Sequence, residues 1–179
     1  RLVCTLTMPV EGFDVGSLKK QLYRKVDQVT QRTDTHFIVV SDALRNWLIR
    51  ERGLAPDRVS RIYNGVEIPP AVRAASDLSV RQGQRHPKTV GCLGRLVWQK
   101  GFEYFIRAAA RISETGCNVR FLIGGDGPLL SQLTQRVHQC GLENRLKFNG
   151  FQENVGEFLG RLDILVVPSL REGFPMIVL

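Results

Sequence analysis

The sequence predicts an α/β protein built on parallel sheets. Short apolar runs of strand length alternate with amphipathic stretches of helical period along most of the chain. The connections between them are short, and several that follow a strand are rich in glycine. Strand, helix and strand in close succession form right-handed βαβ units, which pair their strands in parallel.

Leu2–Leu6 reads as a buried strand. Residues 17–32 read as a helix, with Leu18, Leu22, Val26 and Val29 on one face and Lys19, Lys20, Arg24 and Lys25 towards the other. Residues 37–40 form a short strand. Ser41-Asp42 then caps a helix over 43–52, which Gly53 stops. Residues 59–63 make a further strand, ended by an Asn64-Gly65 turn. From Pro69 to Lys88 the periodicity fails. The chain therefore divides into 1–70, a linker over 71–88 and a second domain over 89–179.

The second domain has the cleaner pattern. Strands are expected at 89–93, 119–123, 146–149 and 164–167. Helices are expected at 102–115, with Phe105, Ala108, Ala109 and Ile112 inward, and at 129–140, with Pro128 at the first helical position. A short helix follows at 154–161.

Composition sets the outer limits. The chain has 179 residues, 43% hydrophobic and 23% charged, with 17 glycines. Those proportions exclude a disordered chain, a collagen and a disulfide-stapled mini-protein. No apolar run approaches the roughly 18 residues of a membrane span. The first residue is Arg1 and the last four are Met176-Ile177-Val178-Leu179, so a fragment cut at both ends is expected. The four cysteines, Cys4, Cys92, Cys117 and Cys140, form no CxxC pair, and His36, His86 and His138 are isolated. No metal site is expected, and the thiols fit a reducing cytoplasm. The formal net charge of +8 is spread over both parts of the chain and favours anionic partners.

Ligands of open parallel sheets bind outside the carboxyl ends of the strands. The first such loop, 94–101, carries Gly94, Arg95, Lys100 and Gly101. Arginine offers a planar fork to phosphate oxygens and lysine a mobile point charge. A diphosphate fits that pair, and a solvated surface is the alternative. The loop Gly124-Gly125-Asp126-Gly127 lacks the spacing of a dinucleotide or P-loop site, so turn glycines with an Asp cap suffice for it. The loop 169–175 holds Glu172, a carboxylate able to accept hydrogen bonds from sugar hydroxyls or to cap a helix.

Residues 89–179 resemble the donor-binding domain of retaining glycosyltransferases of family 4. Four pieces recur in order: Gly-Arg-Leu-Val-x-Gln-Lys-Gly at 94–101, Gly-Asp-Gly-Pro at 125–128, Phe-Asn-Gly-Phe at 148–151 and Ser-Leu-Arg-Glu-Gly-Phe-Pro at 169–175. Phe37-Ile-Val-Val-Ser-Asp and Ile62-Tyr-Asn-Gly-Val are similar to the end of that family's N-terminal domain. The resemblance implies a GT-B fold of two Rossmann-like domains, here the end of the first and a truncated second. It implies retaining, metal-independent sugar transfer from a nucleotide-diphosphate sugar. Arg95 and Lys100, with Gly94, would hold the diphosphate. Glu172 would be the catalytic carboxylate at the donor sugar, Gly173, Phe174 and Pro175 would cradle sugar and phosphate, and Phe151 and Gln152 would lie near the base. No cofactor beyond the donor is implied.

The acceptor would be a lipid, a glycan or a small molecule, and not a nucleic acid. The enzyme would be cytoplasmic, with room for peripheral attachment at the inner membrane face. Two departures from the pattern stand out. The second glutamate of the motif would fall at position 180, and Thr5-Leu6-Thr7-Met8 lacks the family's cleft histidine. The chain by itself is therefore expected to bind donor weakly and not to turn over. A non-catalytic module of a split transferase, a nucleotide-sugar epimerase and a phosphorylase are the alternatives.

Overall fold

Strands buried on both faces of a parallel sheet read as unbroken apolar runs, and those of this chain sort into two sheets. The computed structural model describes residues 2–7, 16–31, 35–66 and 87–179. It divides into two units, residues 1–73 with 171–179, and residues 74–170.

In the first unit, β1 (Leu2–Leu6), β2 (Thr35–Val39) and β3 (Val59–Arg61) form a parallel sheet in the order β1-β2-β3. Phe37 pairs with Cys4 on one side and Val59 on the other. Helix α2 (Asp42–Arg52) follows β2. Ser41 has extended backbone, and its hydroxyl accepts the Leu44 N–H at 3.3 Å. Gly53 closes the helix at φ +67°, which only glycine adopts cheaply. Leu44 and Leu48 bury against Phe37, Val39, Val40, Leu54 and Val59.

Three expectations change here. β1 is a strand over the expected residues, but it is not buried: Leu2 and Val3 are 65% and 64% exposed. Helix α1 (Ser17–Gln31) forms, and its apolar stripe faces solvent: Leu18, Leu22, Val26 and Val29 are all more than half exposed. β3 ends at Arg61, and 62–66 continue as irregular chain rather than a regular turn. Residue 32 and most of the expected linker, 71–86, lie outside the described residues.

In the second unit, β4 (Lys88–Leu93), β5 (Val119–Gly124), β6 (Leu146–Phe148) and β7 (Ile164–Leu165) form a parallel sheet in the order β6-β5-β4-β7. Helices α3 (Phe102–Glu114), α4 (Leu130–Gln139) and α5 (Val155–Gly160) connect them. The core joins Phe102, Phe105, Ile106 and Ala109 of α3 to Phe121 and Ile123 of β5 and to Leu133 and Val137 of α4. Phe105 meets Phe121 edge to face, with centroids 6.0 Å apart.

The inward face of α3 is 102, 105, 106 and 109, so Phe105 and Ala109 point inward as expected. Ala108 and Ile112 are exposed, and Phe102 and Ile106 take the inward positions instead. Pro128 lies in a turn before α4 rather than at its first position, since Leu129 caps the helix. Strand β7 is two residues long, held to Val90 and Gly91, and Ile164 is half exposed. The last segment, 171–179, clusters with the first unit instead of closing the second. Gly173 lies against the Thr7 carbonyl there, and Phe174 packs against the first core.

Candidate donor site

The second sheet grows from β4 outward through β5 to β6 and then returns to place β7 on the other side of β4. That reversal is a topological switch point, and ligands settle at the carboxyl ends of the strands beside it. The loop after β4, residues 94–101, flanks the reversal and carries Arg95 and Lys100.

Backbone hydrogen bonds knit the loops at this end into one platform. Gly94 N–H donates to Gly124, Leu96 N–H to Asp126 and Leu129 N–H to Leu96, at 3.1, 2.8 and 3.1 Å. Gly125 N–H donates to Gly150 at 2.7 Å, and Leu170 N–H to Gln99 at 2.8 Å. The glycines are what make this approach possible. A Cβ on Gly125, whose φ is +124°, would stand 1.9 Å from the Gly94 carbonyl oxygen. One on Gly101, at φ +65°, would stand 2.1 Å from the Pro168 carbonyl oxygen. The Gly-Gly-Asp-Gly loop thus serves backbone packing, and the Asp126 carboxylate accepts the Gly127 N–H at 2.7 Å within the loop rather than capping the helix that starts at Leu130.

On this platform Leu96 is fully buried while its neighbour Arg95 is exposed. The buried leucine anchors the turn and turns the guanidinium outward. Lys100 is half-buried, and its stem lies close over Gly94, where a Cβ would be 3.7 Å from the Lys100 methylenes. The short turn Trp98–Lys100 and the left-handed Gly101 bring the lysine back over the loop that holds Arg95. Sequence reasoning chose these residues but missed the Gly101–Pro168 contact.

Phe151 is 76% exposed at the tip of the loop after β6. Gln152 turns its amide nitrogen back into that loop, donating to the Asn149 carbonyl at 2.8 Å and the Gly150 carbonyl at 3.0 Å. Its donor end therefore stabilises the loop. Both residues line a hollow of about 530 Å³ with Asn154, Glu157, Phe158 and Arg161.

Glu172 and the 173–175 backbone belong to the first unit. Glu172 is exposed, and Gly173 is wedged against the backbone: a Cβ there would stand 1.6 Å from the Thr7 carbonyl oxygen. A short 3₁₀ turn over Met176–Val178 follows. The Asp42 carboxylate, which accepts a hydrogen bond from Arg61, holds that guanidinium's pKa above its ordinary value. Cys92 is buried in the second core, and burial pushes its thiol pKa up. No described helix is long and apolar enough to cross a membrane.

A parallel sheet that reverses direction beneath a cationic loop defines a Rossmann-like α/β protein, and solved structures with this fold place it in the GT-B class. HepE of Anabaena, in a crystal structure with UDP-glucose, superposes with a TM-score of 0.74 at 25% identity, over 99% of this chain and 49% of that one. Residues 87–179 match the family described as Glycosyl transferases group 1, and the chain belongs to that family.

Its relatives include 2-deoxystreptamine glucosyltransferase of Streptomyces kanamyceticus, 26% identical over 88% of this chain and 43% of that protein. Another is the Escherichia coli UDP-Gal:alpha-D-GlcNAc-diphosphoundecaprenol alpha-1,3-galactosyltransferase, 28% identical over 95% of this chain and 47% of that protein. The chain spans less than half the length of each of these relatives.

Proposed function

We propose that this chain is the donor-holding part of a retaining, family 4 glycosyltransferase that takes its sugar from a nucleotide-diphosphate sugar without a metal ion. The observation that carries the reading is the switch-point loop, with Arg95 exposed and Lys100 folded over Gly94 on a knitted backbone platform. When the bond from the anomeric carbon to phosphate breaks, positive charge grows on the sugar and negative charge on the leaving diphosphate. Fixed cations stabilise that leaving group more in the transition state than in the ground state. Arg95 and Lys100 fill this role. Glu172 accepts hydrogen bonds from the donor sugar, and the 173–175 backbone cradles sugar and phosphate. Phe151 presents an aromatic face near the base.

The relatives named for UDP-sugar binding or use support a uridine nucleotide as the first donor to try. A lipid, glycan or small-molecule acceptor, without nucleic acid, fits the same reading. The basic face of α1 is compatible with peripheral attachment to an anionic membrane. Titration calorimetry with UDP and GDP tests the diphosphate assignment. Arg95→Ala with Lys100→Ala should weaken nucleotide binding about a hundredfold, as expected for two charge-assisted hydrogen-bonding partners. Equal binding by both proteins would end the assignment.

A further inference from the structure

The first unit carries a side-chain chain that the donor reading does not use. Tyr63 follows β3, and its ring faces the Phe174 ring with centroids 6.1 Å apart at 43°. The Tyr63 hydroxyl donates to the Asp42 carboxylate at 3.2 Å. The Arg61 guanidinium lies over the Tyr63 ring, 4.3 Å from its centroid, and donates to the same Asp42 carboxylate. Asp42 in turn is the first residue of α2, whose Leu44 and Leu48 are core residues. Tyr63 is thus held at its hydroxyl and on its face by groups tied to rigid elements.

Phe174 is the next residue but one after Glu172 and packs against the first core. Gly173, between them, leaves no room for a side chain: a Cβ there would clash with the Thr7 carbonyl. The segment has little regular structure of its own, apart from the turn that begins at Met176. Its placement therefore depends on these contacts.

We propose that Tyr63 is a positioning residue for the 172–175 segment: braced by Asp42 and Arg61, its ring props Phe174 and so fixes where Glu172 and the Gly173 backbone are offered to the donor sugar. The inference rests on the assignment of Glu172 to the sugar. Tyr63 touches no substrate and acts through Phe174. An aromatic pair adds directional contact beyond simple burial. The brace converts an exposed loop tyrosine into a fixed wall, because an orienting group is only as rigid as what supports it.

Two readouts on the full chain, for the wild type, Tyr63→Ala and Tyr63→Phe, test this. The first is the NMR signal of Phe174 in protein labelled with fluorophenylalanine, assigned with Phe174→Leu. Tyr63→Ala should move and broaden that signal and leave the signals of Phe105 and Phe121 in place. Tyr63→Phe should restore it, because the ring is kept. The second is calorimetric titration with UDP and with UDP-glucose. Tyr63→Ala should weaken UDP-glucose binding about tenfold more than it weakens UDP binding, the factor equivalent to 1.4 kcal/mol. An unmoved Phe174 signal overturns the inference, and so does an intact UDP-glucose advantage. A wild-type chain that binds neither nucleotide overturns the sugar assignment, while the Phe174 signal still decides whether Tyr63 anchors the segment.

Discussion

The two units use the same kind of parallel sheet and differ in how they cover it. In the second, the apolar face of every long helix meets the sheet, and Phe121, Ile123, Leu96 and Ile106 are almost wholly buried. In the first, α2 covers β2 and β3, while α1 and β1 present apolar side chains to solvent. Periodicity in a sequence identifies a face. It does not say what covers that face, because the partner lies elsewhere in the chain or in the surroundings. The second unit carries its hydrogen-bonded loop platform on a closed core.

This contrast makes measurable demands. Trp47 lies in the first unit and Trp98 in the second, so variants that keep one tryptophan report each unit's unfolding in urea separately. Phe121→Ala should cost the second unit about 4 kcal/mol, the usual scale for emptying a buried aromatic site. Leu18→Ala in α1 should change the first unit by no more than about 0.5 kcal/mol, since that side chain is 82% exposed. Comparable losses at the two positions would break the comparison.

Glycine substitutions sharpen it further. Gly125→Ala combines a disfavoured φ with a clash against the Gly94 carbonyl, and should cost about 3 kcal/mol. Gly53→Ala meets nothing within 4 Å and carries only the left-handed backbone penalty, about 1 kcal/mol. A similar cost, about 1 kcal/mol, is expected for Ser41→Ala, which removes the α2 cap.

The smallest effect concerns pH. A hydrogen bond to its own backbone and one to His138 lower the Glu143 pKa. The stabilisation is present above the unfolded-state value and is lost as pH falls through the lower folded one. Glu143→Gln should therefore flatten the acid side of the stability profile slightly. An unchanged acid slope would contradict the assignment.

Much of this was readable in the residues. Ser41 and Gly53 bound α2 as the cap rules require, because capping is decided within one turn of chain. The order of elements in the second unit was legible because hydrophobic period is a local property of each stretch. The site's cationic loop was legible because strand, glycine and cation sit within eight residues. The exposure of α1 and β1 was not legible, nor was the attachment of 171–179 to the first unit. Both depend on contacts between distant stretches, such as Gly173 with Thr7 and Phe174 with Tyr63. The ends of β3, β6 and β7 also fell short of the apolar runs. Strands stop where the partner's hydrogen bonds stop, and hydrophobicity alone does not mark that point.

The central claim concerns the β-phosphate of the donor, and a pair of ligands that differ by that group isolates it. Calorimetry of UDP against UMP should give the wild-type chain an advantage for UDP of at least about tenfold, from charge-assisted contacts to the added phosphate. Replacing Arg95 and Lys100 by alanine should bring the two ligands to nearly equal affinity. A double variant that still prefers UDP as strongly as the wild type would show that the β-phosphate is held by other groups.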